Sequence, residues 1–157
     1  MKQIIIKEAS LLSLPALHRL FRGAVESHFT YFSPGVQRRV IRQHSLPRLV
    51  LAAIDTRRIL LLAKSGARIV GYAIGAAPAT GPAQMYWLYV DPHYRGANIG
   101  LSLLSRMLKI LGEKGADIVS IATHDHRRYY ERQGFKFKHK TLVDGVKMDI
   151  LLFKIRA

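Results

Sequence analysis

The six residues Arg95-Gly96-Ala97-Asn98-Ile99-Gly100 stand between an apolar, β-rich run and an amphipathic one. Where a strand gives way to a helix, successive backbone N–H groups point outward without intrahelical partners. The helix dipole adds partial positive charge there, so such a turn can hold an anion. Gly96 and Gly100 let a ligand approach the backbone closely, and Arg95 adds a fixed cation. Asn98 occupies the place where the turn most wants glycine. Asparagine tolerates left-handed backbone and keeps its N–H; at a helix start its side chain can also serve as an N-cap. A second chemical cluster, His124-Asp125-His126, follows a later apolar run. An imidazole titrates in a useful range, which makes His124 a candidate general base. The His-x-His spacing is compatible with a metal, but no further ligand is placed and no metal is expected.

Other phosphate-binding turns are excluded by spacing. No Gly-Lys-Ser/Thr ends the turn, so it is not the loop of a nucleoside triphosphatase. The glycines lack dinucleotide-fold spacing, and no acidic residue closes a strand about 20 residues on.

Elements must position these groups. The 157 residues suit one domain, 1–157, and at 49% hydrophobic they can bury a core. Lys2–Lys7 reads as a strand. Leu14, Leu17, Leu20, Phe21, Ala24 and Val25 keep helical spacing after Ser13 and Pro15, and a second helix starts near Val36. Pro47 is expected to kink or divide that segment before Leu49–Ile54. Arg58–Ala63 and Arg68–Ala77 form a hairpin across Lys64-Ser65-Gly66-Ala67, and Gln84–Val90 is the next strand. Asn98–Lys114 is the clearest helix, with Ile99, Leu103, Leu104, Met107, Leu108 and Leu111 on one side. Asp117–Thr123, a short helix over about Arg127–Arg132, and a hairpin of Phe135–Val143 and Val146–Ile155 across Asp144-Gly145 complete the order. The strand–helix–strand from Gln84 to Thr123 demands a parallel pair with a right-handed crossover; short connections make the rest antiparallel. The fold class is therefore mixed α/β rather than doubly wound.

Composition narrows the rest. There are no cysteines, which excludes disulfide scaffolds, thiolate metal sites and cysteine nucleophiles. No apolar run approaches the ~20 residues of a membrane span, and the apolar run of the first residues is too short for a signal peptide to be expected. A soluble, cytoplasmic protein without membrane association is expected. Lys+Arg 25 against Asp+Glu 10 gives a net charge of +15, a field that attracts nucleic acid or a phosphorylated cofactor.

Two stretches together carry a family resemblance. Leu88-Tyr89-Val90-Asp91-Pro92-His93-Tyr94-Arg95-Gly96-Ala97-Asn98-Ile99-Gly100 resembles motif A of the GNAT superfamily of N-acetyltransferases, and Tyr129-Tyr130-Glu131-Arg132-Gln133-Gly134-Phe135 resembles its late Tyr-Glu-x-x-Gly-Phe signature. The element order matches that fold from end to end. The resemblance implies a mostly antiparallel sheet with a splayed central parallel pair, flanked by helices. It implies acetyl-CoA as co-substrate, with its pyrophosphate on the N–H groups of Arg95–Gly100 and its pantetheine arm pairing with Leu88, Tyr89 and Val90. A β-bulge in that strand would free an N–H, from Tyr89 or Val90, to polarise the thioester carbonyl. Tyr130 would be the general acid toward the departing thiolate, with Tyr129 in the core. Thr123 stands where the family often has an asparagine touching the CoA arm. No carboxylate lies in Gln84–Val90, where many relatives keep a glutamate; Glu26, His28 and His124 are the alternatives to water as base. Tyr31 and Phe32 either line an acceptor pocket or staple two helices. The implied activity is acetyl transfer to a primary amine by direct attack, with a small molecule as the default acceptor. A protein amine or an aminoacyl-tRNA is the alternative that the charge favours, and a non-catalytic CoA- or RNA-binding relative is the third reading. Dimers are common in such folds, which allows a homodimer.

Overall fold

A computed structural model describes residues 2–156. Seven strands form one sheet in the order β1-β2-β3-β4-β5-β7-β6. They are β1 (Ile4–Glu8), β2 (Arg58–Ser65), β3 (Arg68–Ala76), β4 (Ala83–Val90), β5 (Ile118–Thr123), β6 (Lys136–Val143) and β7 (Val146–Lys154). All neighbours are antiparallel except β4 and β5. The mixed fold class and the splayed parallel pair expected from the sequence are both present.

Strands β2 and β3 read as near-continuous apolar runs because both of their faces are covered. On one face lies α4 (Ile99–Glu113), whose Ile99, Leu103, Leu104, Met107 and Leu111 interlock with Ile59, Leu61, Val70, Ala73 and Met85. On the other lie α1 (Leu14–His28), α2 (Pro34–Gln43) and α3 (Leu46–Ile54), packed on Leu60, Leu62, Tyr72, Ile74 and Tyr89. The last helix, α5 (Arg127–Arg132), follows β5.

Of the two outcomes expected at Pro47, the chain takes the division. Pro47 does not merely kink the second helix; it opens a separate one, α3, in whose first turn its missing N–H costs nothing. Helix α4 runs through Gly112 and stops before Gly115, whose φ of +94° supplies the left-handed turn.

The arrangement of β4 builds the site. Only Ala83, Gln84 and Met85 pair with β5, against Val119, Ser120 and Ile121. Toward β3, Trp87 faces Ile74 while Met85 faces Gly75, so Tyr86 is an extra residue, a bulge. A bulge bends and twists its strand, and it falls where the β4–β5 ladder ends. Gly75 stands opposite it because a Cβ there would lie 2.9 Å from both the Gln84 carbonyl oxygen and Met107 Sδ.

Candidate active site

Beyond Met85 the two parallel strands diverge, and the edge of β4 lies open. The Asp91 N–H donates to the Val70 carbonyl at 2.8 Å, which makes Asp91 and Val70 a hydrogen-bonded pair. Ladder alternation then turns Tyr89 and Trp87 toward β3, and the N–H groups of Leu88 and Val90 toward the gap. The sequence left Tyr89 and Val90 as alternatives for a free donor; the register leaves Val90, together with Leu88, and removes Tyr89. The bulge is at Tyr86, earlier in the strand than either expected donor.

The turn after β4 is tied down from below. Asp91 is buried, and its carboxylate accepts from the His93 N–H at 2.9 Å and from His93 Nδ1 at 3.0 Å, with Arg68 Nη2 at 3.4 Å. Burial pushes its pKa up, but the His93 bonds and charge and the Arg68 cation outweigh it and hold the carboxyl below its ordinary value. Arg95 Nε donates to the Val90 carbonyl at 3.2 Å, fixing the guanidinium beside the strand end. Gly96, at φ +88°, and Asn98, at φ +58°, both take left-handed backbone. Asn98 makes no side-chain cap bond, so the left-handed explanation of its presence stands and the capping one falls. Among the described residues, no backbone carbonyl takes up the N–H of Gly96, Ala97 or Asn98, and Ile99 and Gly100 open the helix where no intrahelical acceptor exists.

Replacing Asn98 with glycine should therefore relieve strain and hold or tighten anion binding at this turn. Replacing it with alanine should cost about 1 kcal/mol of stability. Urea unfolding of the two variants, with an acetyl-CoA titration, checks both; equal stability would mean that the turn does not need a left-handed residue.

The gap opens into a cleft of about 1380 Å³. Its lining includes Leu88, Tyr89 and Val90, Arg95, Gly96, Asn98, Ile99 and Gly100, Thr123, His124 and Tyr130; of the expected site residues, Ala97 and the candidate base Glu26 are outside it. Tyr130 packs edge-on against Phe135 at 5.5 Å and Tyr129 at 5.2 Å. Burial raises its pKa, with Tyr129 and Tyr31 adding to the rise, so the phenol keeps its proton throughout the physiological range. Tyr129 packs on the core as expected, but its hydroxyl also reaches the helix start, 3.5 Å from where a Cβ on Gly100 would stand. Thr123 is buried and its Oγ1 accepts from the His126 N–H at 3.2 Å, so its hydroxyl serves the turn after β5.

Candidate bases separate. Glu26 is bound to Arg22 at 3.1 Å and does not line the cleft. His28 does, with its ring 5.7 Å from that of Tyr89. His124 stacks on Tyr31 at 4.5 Å, while Asp125 turns to His126 at 3.4 Å. Tyr31 and Phe32 both line the cleft, with their rings 4.7 Å apart. Burial, then the Asp125 charge, push the Tyr31 hydroxyl up to about 12. An ion pair between Arg39 of α2 and Asp144 of the β6–β7 turn bridges the elements flanking the cleft. The place of Phe29, His44 and Trp87 in this wall leaves no local signal, because their contacts join residues far apart in the chain.

Comparison with known proteins agrees with this geometry. The model of the acetyltransferase (GNAT) domain matches residues 56–137, more than half of the chain and all of the β4–turn–α4 unit. This chain belongs to the GNAT family. Two N-acetyltransferases of uncharacterized role, from Mycobacterium bovis and Mycobacterium tuberculosis, are 30% identical to this GNAT chain over 86 residues, 52% of it and 55% of each relative. The match thus spans about half the length of those curated relatives. The crystal structure of the PaiA N-acetyltransferase of Thermoplasma acidophilum, in complex with coenzyme A, superimposes with a TM-score of 0.80 at 22% identity, covering 97% of this chain and 99% of that one. The ribosomal-protein-S18-alanine N-acetyltransferase of Escherichia coli gives 0.72 at 17% identity, covering 99% and 96%. At these identities the two structures establish that the GNAT fold is shared.

Proposed function

We propose that this GNAT protein transfers the acetyl group of acetyl-CoA to a small primary amine by direct attack. The observation that carries the reading is the open edge of β4, where the Leu88 and Val90 N–H groups face a gap bordered by Tyr130 and by the Arg95–Gly100 turn. The complex of the Thermoplasma relative with coenzyme A supports the choice of co-substrate.

The residues fit that ligand. Free N–H groups of the turn and the anchored Arg95 suit a pyrophosphate. The strand edge offers donors and acceptors at β spacing to an extended amide-bearing arm. In the reaction a C–N bond forms and a C–S bond breaks. The Val90 N–H donates to the carbonyl oxygen as negative charge gathers on it. Tyr130, held protonated by burial, gives its proton to the departing sulfur. His124 or a water takes the proton lost by the attacking amine and restores the phenol. Holding both substrates in one cleft supplies much of the acceleration.

The aromatic loop between α1 and α2 and the Arg39–Asp144 bridge narrow the acceptor side, which supports a small acceptor. The net charge of +15 favours the second reading, a macromolecular acceptor such as a protein amine or an aminoacyl-tRNA.

Acetyl-CoA at 100 times its Kd should stabilise the protein by about 2.7 kcal/mol, a rise in Tm of roughly 5–10 °C for a chain of this size. No shift at millimolar acetyl-CoA overturns the reading. Retention on RNA that weakens steeply with salt would move the acceptor to the macromolecular class.

A further inference from the structure

Past the acyl-transfer centre the same cleft continues along the α1–α3 face of the sheet toward the start of β4. Trp87 and Ile74 are adjacent partners there on β4 and β3, and Phe29 lies against the Trp87 indole at 5.3 Å. His44 stands edge-on to the same indole at 5.7 Å and stacks on Phe21 at 4.2 Å. Two cations also line this cleft, Arg48 from α3 and Arg58 from the first position of β2.

Charge here is one-sided. Neither Arg48 nor Arg58 forms an ion pair among the described residues. The two carboxylates on the cleft wall, Asp125 and Asp144, lie on the β5–α5 and β6–β7 connections and face His126 and Arg39. His44 does not supply a counter-charge. Burial lowers its pKa; a bond at 2.9 Å from Nδ1–H to the Val40 carbonyl opposes this, and the Arg58 charge lowers it further. An aromatic-walled cleft lined by two guanidinium groups that have no carboxylate partner suits an anion attached to a flat, apolar body.

The distance fits a small molecule. Arg58 and Gln84 both pair with Ala76, so they share one row of the sheet. Gln84 lies four residues before Leu88, one of them the bulge, or roughly 10 Å along the strand. The reach of an arginine side chain shortens that span to the size of an amino acid or a dipeptide.

We propose that the acceptor is a small aromatic amine bearing a carboxylate, held by Arg48 and Arg58 with its ring against Trp87 and Phe29. This rests on the acetyl-transfer reading for the position of the amine, but not for the anion site itself.

The test uses matched acceptors with acetyl-CoA: phenylalanine against phenethylamine, tryptophan against tryptamine, and glycylphenylalanine against its C-terminal amide. Each acid should exceed its carboxylate-free partner in kcat/KM by at least about tenfold, the size of one charge-assisted contact. The ratio should fall toward one in Arg58→Gln and in the Arg48→Gln, Arg58→Gln double variant, with the acetyl-CoA thermal shift reporting on folding. Equal or better use of the carboxylate-free partners overturns the proposal, as does an equal loss for both members of each pair. Calorimetric titration of the same acids separates the two readings. Binding that requires Arg48 and Arg58, without acetyl transfer to any amine, upholds the anion site and sinks the acyl-transfer reading. Transfer confined to amines without a carboxylate does the reverse.

Discussion

Replacing Tyr130 with phenylalanine is expected to lower kcat for acetyl transfer by about 10²- to 10⁴-fold, the ordinary worth of a positioned acid, with little change in acetyl-CoA affinity. The ring packing against Phe135 and Tyr129 is kept in the variant, so the loss reports on the hydroxyl. The pH profile gives a second reading. Because burial and the neighbouring tyrosines raise the phenol's pKa above its ordinary 10.0, the acid form persists while the acceptor amine loses its proton. Wild-type kcat/KM should therefore rise with pH as the amine deprotonates, without a falling limb below pH 10. The phenylalanine variant should keep the rising limb at a uniformly lower level. Turnover within a few-fold of wild type across that range would remove Tyr130 from the chemistry.

The largest effect on stability is expected from Leu103→Ala. Leu103 is 0% exposed and joins α4 to β3 beside Gly71, where a Cβ would already stand 3.3 Å from its Cδ1 and 2.8 Å from the Tyr89 carbonyl oxygen. With the sheet backbone so close, little can move in to fill the space. The truncation should cost about 2–5 kcal/mol, seen as a fall in Tm of roughly 5–20 °C or as a lower urea midpoint. A cost under about 1 kcal/mol would mean that the site collapses, contrary to the close packing around it.

What the sequence displays follows from the range of the forces involved. Asp144-Gly145, with φ of +52° and +79°, and the spacing of Leu103, Leu104, Met107 and Leu111 are local matters, and both were legible. The turn at Arg95–Gly100 was legible as an anion site for the same reason, since a helix start carries its own unpaired donors. Asn98 was half legible: the residue type allowed left-handed backbone, but only the chain's path could show that the turn demands it. Whether Pro47 kinks or divides its segment stays open in the sequence because a proline can bend one helix or start the next, and the packing of Leu49 and Ala52 decides which. The bulge at Tyr86 depends on register with β3, which no run of residues records. The stack of Phe21, His44 and Trp87 and the meeting of Arg48 with Arg58 in one cleft are tertiary, and leave no periodic trace.

The short pairing between β4 and β5 has a mechanical meaning. Four strands stand on one side of it and three on the other, each group stitched internally by longer antiparallel ladders. Between the groups run three residue pairs of backbone ladder, the covalent tie of α4 with the core it shares with Val119, Ile121 and Leu151, and the Arg39–Asp144 and Tyr31–His124 contacts across the cleft. The sheet is thus two plates whose backbone seam is narrow, so the ladder is locally weakest along that line. Amide exchange would register this as two blocks of slow protons, with the faster ones of Leu88 and Val90 lying along the line between them.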